Sequence, residues 1–162
     1  RGEHSQWSDD PLGSTVQRVL RRSERPVMVV AGPLRDLGRM LVAYDGSDSA
    51  NRTLRTVLAL CEQASLPLTV LVVAPDDHHR QDAERTLAEA RELAAAYDKV
   101  TSDCRLLINH DIPAALLQEA EAADCRLIAM GAYGHSRLRE WLLGSTTTTI
   151  LERSTLPVFL IR

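Results

Sequence analysis

The chain has 162 residues, with 19 Lys and Arg against 22 Asp and Glu and a formal net charge of -3. This length suits one folded domain with a small remainder, and the 44% of hydrophobic and 25% of charged residues exclude a disordered or fibrous protein. The slight excess of acid argues against general binding to nucleic acid or to an anionic membrane, because either partner needs a basic face. We therefore expect a globular domain with no nucleic-acid and no membrane partner.

The lengths of the apolar runs and the number of cysteines bear on membrane insertion and on the redox compartment of the protein. The longest apolar runs, such as residues 66–74, reach about half of the roughly 20 residues that a membrane-spanning helix needs. Cys61, Cys104 and Cys125 are an odd number without a CxxC pair, which is typical neither of a disulfide framework nor of a zinc site. We expect reduced thiols and a cytoplasmic location.

An internal repeat sets the organisation of the chain. Residues 12–30 align without a gap to residues 143–161, with identical residues at 9 of 19 positions, and both copies begin with Leu-Gly-Ser-Thr. The first copy follows a short segment, whereas the second copy closes a long α/β region. The repeat predicts that residues 1–30 end with the last helix and strand of a preceding domain. Residues 31–38, which contain Gly-Pro, then form a linker, and residues 39–162 form a complete second domain.

From residue 39 onward, short apolar strands alternate with amphipathic helices. The predicted strands cover residues 39–44, 68–74, 104–109, 126–130 and 158–161, and the predicted helices cover residues 51–64, 81–97, 113–123 and 145–153. Strands that are apolar on both faces and alternate with helices predict a five-stranded parallel doubly wound sheet of the Rossmann-like class. Ligands of such sheets bind beyond the carboxyl ends of the strands, so the loops after the first, second and fourth strands form the candidate site.

The loop after the fourth strand has the composition of an anion-binding site. It contains Gly131 and Gly134, and Gly144, Ser145 and Thr146 stand at the predicted start of the last helix. Glycine lets backbone N–H groups approach an anion, and a helix start adds unpaired N–H groups and a partial positive charge. The alternative is that the glycines only make turns and that the hydroxyl side chains only cap the helix.

Asp45 follows the first predicted strand, in the sequence Asp45-Gly-Ser47. A carboxylate at this position can accept hydrogen bonds from ribose hydroxyls, as in dinucleotide-binding folds. It can equally cap a turn, and from these residues alone the turn is the better supported alternative.

Taken together, these motifs resemble the ATP-binding branch of the universal stress protein family. The resemblance rests on the spacing Gly131-x2-Gly134-x9-Gly144-Ser145, on Asp45 after the first strand and on the closing Pro157-Val, and it covers residues 39–162. It implies the adenine nucleotide alpha hydrolase-like fold with strand order 3-2-1-4-5. It also implies that the ligand is ATP, ADP or AMP, with or without Mg2+.

The resemblance implies roles for individual residues. Ala43 and Asp45 would meet the adenosine, and the backbone of Val73 would read the edge of the adenine. The positions around the ribose and the phosphates are Met130, Gly131, Gly134, His135, Gly144, Ser145 and Thr146. His135 lies inside the glycine loop, where it either touches phosphate or faces solvent. Asp111 departs from the family pattern, which usually has glycine there, and its carboxylate is expected to weaken the binding of a triphosphate.

The resemblance also implies a partner for the last strand. Family domains typically dimerise through this strand, and tandem copies pair within one chain. We therefore expect the short strand between Val27 and Val30 to pair antiparallel with Val158–Ile161, either within the chain or in a homodimer.

Three functions remain open at this point. The first is a stress-response module that binds an adenine nucleotide as a regulator or switch, with slow hydrolysis at most. The second is an adenylating enzyme of the ATP-pyrophosphatase kind, because Gly46-Ser-Asp-Ser49 resembles part of the phosphate loop of that group. The third is a dimerising family member that binds no nucleotide, which the carboxylate of Asp111 favours.

Other motifs carry no chemistry on inspection, and we assign no catalytic residue and no metal ligand. Asp76-Asp-His-His79 resembles a metal cluster, but adjacent side chains in one loop do not converge easily on an ion. The one lysine, Lys99, lies far from the glycine loop, which excludes a Walker-type P-loop. Ser145 lacks the matched His and Asp of a hydrolase triad.

Overall fold

The computed structural model describes residues 14–23, 25–33, 36–132 and 144–162. Two elements precede residue 31, helix α1 (Ser14–Arg22) and strand β1 (Val27–Val29). Strands and helices then alternate as predicted: β2 (Met40–Ala43), α2 (Asp48–Ala64), β3 (Leu68–Ala74), α3 (Arg80–Ala95), β4 (Ser102–Ile108), α4 (Ile112–Ala122), β5 (Leu127–Gly131), α5 (Ser145–Arg153) and β6 (Val158–Ile161). Within these residues, no helix combines the length and the apolar character that crossing a bilayer requires.

The described strands form one six-stranded sheet with the order β1-β6-β5-β2-β3-β4. Strands β2 to β6 are parallel and, counted from β2, follow the predicted order 3-2-1-4-5. The predicted total of five strands is wrong for the whole sheet, because β1 joins it as a sixth strand. β1 pairs antiparallel with β6 within the same chain, as expected, but the paired segment ends at Val29 and does not include Val30.

The hydrophobic core lies on both faces of the sheet. On one face, α2 and α3 cover a row of strand residues that includes Val42 and Val70. On the other face, α1, α4 and α5 cover a second row that includes Leu41 and Ile128. Neighbouring strand residues point to opposite faces, so a strand buried on both sides must be apolar at nearly every position. This requirement explains the continuous apolar runs in the sequence.

The two copies of the repeat have the same local structure. Helices α1 and α5 both contain nine residues and begin at corresponding positions of the repeat. After each helix, a serine hydroxyl, that of Ser23 or Ser154, donates to the carbonyl two residues ahead at 2.9 Å. Met28 in β1 pairs with Phe159 in β6, which is its own counterpart in the repeat. The register of the two strands is therefore symmetric about this pair.

Candidate functional site

A cavity of about 240 Å³ opens beyond the carboxyl ends of β2, β3 and β5. This is the place where a doubly wound sheet reverses its strand order and where such folds bind ligands. Every predicted site residue that the structure describes lines this cavity, whereas Gly134 and His135 lie outside the described residues. The lining comprises Ala43, Tyr44, Asp45, Ser47, Ser49, Ala50, Leu71, Val73, Ile112, Leu116, Met130, Gly131, Gly144, Ser145, Thr146 and Thr147.

One end of the cavity is apolar. Its wall combines strand residues, among them Leu71 and Met130, with Ile112 and Leu116 from one side of α4. Leu71, Leu116 and Met130 are buried, so this wall is continuous with the core. The sequence had suggested Met130 but not Leu71, Ile112 or Leu116, since nothing distinguishes them locally from ordinary core residues. An apolar wall of this kind suits a heteroaromatic ring.

The backbone of Val73 presents an unpaired strand edge to the cavity. The pairing of β2 with β3 ends at Ala43 and Leu71, and the N–H of Tyr44 donates to the carbonyl of Leu71 at 2.9 Å. In a strand, residues two apart direct their N–H and C=O groups to the same side. Val73 therefore directs both groups towards the space beyond the end of β2, where no described strand pairs with them. The hydrogen-bonding edge of adenine needs one donor and one acceptor side by side, as the N–H and C=O groups of Val73 are.

Gly131, the last residue of β5, lets the start of α2 approach the strand closely. A Cβ atom at this position would lie 2.5 Å from the Oγ and 3.0 Å from the Cβ of the buried Ser49. The glycine is therefore needed for packing between the helix and the strand whether or not a ligand is bound.

Helix α2 begins with its own cap, and Asp45 is part of it. The Oδ1 of Asp45 accepts the N–H of Ser47 at 3.0 Å, and the Oγ of Ser47 accepts the N–H of Ala50 at 3.2 Å. The hydroxyl groups of Ser47 and Ser49 are 3.1 Å apart. Asp45 thus makes the turn that its residue type favours. A carboxylate has about four acceptor positions, so the exposed side chain can also accept hydrogen bonds from a ligand.

Helix α5 begins without a side-chain cap. Its N-cap residue is Gly144, and its first turn contains no acidic residue. The Oγ1 of Thr147 donates to the carbonyl of Gly131 at 3.4 Å and ties the helix to the end of β5. Among the described residues, a Cβ atom on Gly144 would meet only this Oγ1, at 3.8 Å. The first N–H groups of α5 receive no side-chain cap from Gly144, and they and the positive end of the helix dipole lie at the cavity.

Asp111 does not contribute to the described lining of the cavity. Its Oδ1 accepts the N–H of Ala114 at 3.0 Å and caps α4, while its own N–H donates to Asn109 Oδ1 at 2.9 Å. The next residue, Ile112, lines the cavity instead. The structure thus places this carboxylate at a helix cap, away from the position where it was expected to oppose a triphosphate.

The acidic and histidine residues of the loop after β3 form local pairs. Nδ1 of His79 lies 2.7 Å from Asp76 Oδ1, and Arg80 pairs with Asp77 at 2.8 Å. The hydrogen bond from His79 is the main cause that lowers the pKa of Asp76. Among the described residues, no group of three or more His, Cys, Asp or Glu side chains is arranged to hold a metal ion.

All three cysteines are free thiols of low reactivity. Burial raises the pKa of Cys61 to about 11, and burial is also the main cause that raises the pKa of Cys104 and Cys125. A thiol acts as a nucleophile only in its deprotonated form. None of the three is therefore suited to covalent catalysis near neutral pH.

The fold and the cavity define a class of protein: a doubly wound α/β domain with a ligand cleft at the switch point of its sheet. The sequence profile of the universal stress protein family matches residues 37–162, and the chain belongs to that family. The universal stress protein Slr1230 of Synechocystis sp. is 31% identical over 163 residues, which cover 100% of this chain and 55% of that protein.

Solved structures show the same fold. A universal stress protein from Archaeoglobus fulgidus DSM 4304 superposes with a TM-score of 0.71 and 26% identity, over 90% of this chain and 52% of that chain. A second structure from Archaeoglobus fulgidus, a complex with dAMP, has a TM-score of 0.64 and 23% identity, over 77% of this chain and 98% of that chain. A universal stress protein in complex with cAMP has a TM-score of 0.65 and 22% identity, over 78% and 97% of the two chains. The chain thus spans about half the length of Slr1230 and of the first of these structures.

Proposed function

We propose that the chain binds an adenine nucleotide, ATP, ADP or AMP, in the cavity at the carboxyl ends of β2, β3 and β5. Binding would make it a regulator or switch in a stress response. The observation that carries this proposal is that the uncapped start of α5 faces the same cavity as an apolar wall and the unpaired strand edge of Val73. These are the complements of phosphate, of an aromatic base and of its hydrogen-bonding edge.

The chemistry of the lining residues suggests an orientation for the nucleotide in this proposal. The adenine lies against Ile112 and Leu116 and hydrogen-bonds to the backbone of Val73. The ribose hydroxyls donate to Asp45, and the phosphates accept from the backbone around Gly144. Two solved structures of the same fold, which contain dAMP and cAMP, support an adenine nucleotide as the ligand.

The described lining favours binding over rapid turnover. Asp45 is the one carboxylate of the described lining, and the described lining contains no His, Lys, Arg or Cys. A Mg2+ ion prefers oxygen ligands and keeps several waters, so with Asp45 assigned to the ribose the phosphate oxygens and water would hold it. The alternative of an adenylating enzyme loses support, because Ser47 caps its own helix and the loop around it has the geometry of a cap.

Substitution of Gly144 by alanine tests the proposal. The free protein has room for the new methyl group, whereas the methyl group would occupy space that a bound phosphate needs. We expect Gly144→Ala to weaken ATP binding at least tenfold while adenosine binding changes little. The matched control is Gly32→Ala, since a Cβ there also meets open space but lies outside this cavity. Calorimetric titration of the parent and both variants measures the difference, with unfolding midpoints as a check on the fold.

The nucleotide carried through purification gives an independent measurement. The protein is purified without added nucleotide and denatured, and the released compounds are identified by mass spectrometry. ATP, ADP or AMP near one per chain is the expected result. No released nucleotide, together with no ATP or AMP binding on titration, would contradict the proposal and favour the family member that acts only by dimerisation.

We also propose that residues 1–30 end with the final helix and strand of a preceding family domain, that residues 31–38 link the domains, and that residues 39–162 form the second domain. Val19 of α1 is 49% exposed, whereas its counterpart in the repeat, Ile150, is fully buried. Where two like domains meet through their last strands, we expect a β1–β6 register centred on counterpart residues. We also expect a core position of the repeat to be exposed there. If β1 and β6 instead pair between chains, a homodimer results, and sedimentation of the purified chain distinguishes a monomer from this dimer.

The free cysteines are consistent with a cytoplasmic location.

A further inference from the structure

A second cleft, of about 400 Å³, lies at the opposite edge of the sheet from the nucleotide cavity. It opens beside the starts of β5 and β6 and the end of β1. Its walls come from residues 30–33, which follow β1, from Arg126 before β5, and from residues 153–157, between the end of α5 and the start of β6. No sequence motif singled out this region, because the three segments are far apart in the chain. Its volume lies within the range of small-molecule sites in proteins.

The cleft is positively charged, although the chain as a whole is acidic. Arg126 and Arg153 both contribute to its lining, and the described lining residues include no Asp or Glu. The net charge of the whole chain is -3, so the positive charge of the cleft comes from local placement of the two arginines. A cleft lined by charges of one sign concentrates counter-ions of the other sign.

The guanidinium of Arg153 has no carboxylate partner among the described residues, unlike those of Arg80, which pairs with Asp77 at 2.8 Å, and Arg85, which pairs with Asp82 at 3.2 Å. Arg153 is exposed at the end of α5, and its side chain makes no hydrogen bond with any residue that the structure describes. Its guanidinium has five N–H donors in a fork that matches a carboxylate or a phosphate.

Arg126 supplies a second cation that can turn towards a ligand. It pairs with Asp124 at 3.1 Å, but the side chain of Asp124 is 82% exposed, and solvent screens an ion pair of this kind so that it is weak. The Cγ of Arg126 lies 2.8 Å from the position that a Cβ on Gly38 would occupy, so its stem is held at the base of the linker.

The rest of the cleft is suited to an organic body attached to the anion. Val30 and Leu156 contribute apolar surface, and Thr155 adds an exposed residue with a hydroxyl group. A Cβ on Gly32 would meet no atom of a described residue within 4 Å, so this side of the cleft has room for a ligand. Inorganic phosphate alone would leave the apolar part of the walls uncovered.

We propose that this cleft is a binding site for a small organic anion, a phosphate or carboxylate group on an apolar body, with Arg153 as its principal anchor. Arg126 provides the second charge, and the linker and the turn before β6 enclose the apolar part. The site is independent of the nucleotide cavity, because the two share no lining residue.

Titration with small probes, followed by nitrogen-15 NMR, tests the site in the intact chain. Phenyl phosphate and benzoate carry both features, benzyl alcohol carries only the apolar one, and inorganic phosphate carries only the charge. The amides of Gly32 and Thr155 report the cleft, whereas those of Gly144 and Thr147 report the nucleotide cavity. We expect phenyl phosphate or benzoate to shift the amides of the cleft saturably and at lower concentration than either single-feature probe.

The variant Arg153→Gln should weaken this binding about tenfold or more, since hydrogen bonds to a charged group are lost. Arg85→Gln, on an exposed helix surface outside the cleft, is the matched control and should bind as the parent does. The larger side chain of Gly32→Leu would fill the open part of the cleft, so this variant should abolish binding although Arg153 is still present. Equal binding of benzyl alcohol, unchanged affinity in Arg153→Gln, or no saturable shift at Gly32 and Thr155 would each overturn the proposal.

Discussion

The contact between Gly131 and Ser49 gives a prediction whose size can be worked from the structure. A Cβ at residue 131 would lie 2.5 Å from Ser49 Oγ, whereas non-bonded atoms prefer about 3.5 Å or more. Ser49 is buried on α2, so it cannot swing into solvent. Insertion of a methyl group into a packed site of this kind costs about 1–3 kcal/mol. We expect Gly131→Ala to lower the free energy of unfolding by that amount.

A double-mutant cycle identifies the cause of the loss. Ser49→Ala removes the Oγ atom at 2.5 Å and leaves the Cβ at 3.0 Å, so it relieves most of the overlap. By itself this change loses the contact with Ser47 Oγ at 3.1 Å, at a cost of about 1 kcal/mol. The double variant should therefore be more stable than the sum of the single effects predicts, by about 1 kcal/mol or more.

Urea unfolding at constant pH supplies the four free energies of the cycle. Gly32→Ala is the control, because its new Cβ meets no described atom within 4 Å and should change stability by less than about 0.5 kcal/mol. If the effects of Gly131→Ala and Ser49→Ala add within about 0.5 kcal/mol, the close contact is not the source of the loss and the reasoning fails.

Two further changes test other parts of the structure. Asp111→Ala should lower the free energy of unfolding by about 1 kcal/mol through loss of the α4 cap, and Asp111→Asn should lower it less. Neither variant should change the affinity for AMP. A higher affinity for AMP on titration would show that the carboxylate acts on the ligand in the cavity. Burial raises the pKa of Cys61 from the ordinary 9.0 to about 11, so its stabilising contribution is complete below pH 9 and is lost as the pH rises to about 11. The stability advantage of the parent over Cys61→Ala, measured by urea unfolding, should therefore shrink across this interval, and a constant difference would contradict the assigned burial.

Features that depend on neighbouring residues could be predicted well. The alternation of strands and helices follows from the spacing of apolar residues, which is set by the geometry of each element alone. The repeat predicted the helix and strand before residue 31, the family resemblance implied the antiparallel pairing of β1 with β6, and the residue type of Asp45 favoured the turn that the structure contains. The start of α2 was placed three residues late, at residue 51 instead of Asp48, because the Ser47 cap was not recognised.

Features that depend on distant residues could not be predicted in the same way. The packing role of Gly131 requires Ser49, which lies on another element, and the wall formed by Ile112 and Leu116 requires α4 to cross the ends of the strands. The backbone direction of Val73 depends on β2 ending before β3, and sequence pattern does not fix where a ladder stops.

The sequence by itself determined the doubly wound α/β class, the internal repeat and the edge of the sheet at which the candidate cavity lies. These properties follow from local periodicity, a repeat and glycine spacing, all of which lie within short stretches of chain. Only the tertiary structure decided which glycine is needed for packing, that Asp111 caps a helix, and that Arg126 and Arg153 line one cleft. The physical reason is that close packing brings together side chains from separate elements, and their contacts depend on how those elements pack against one another.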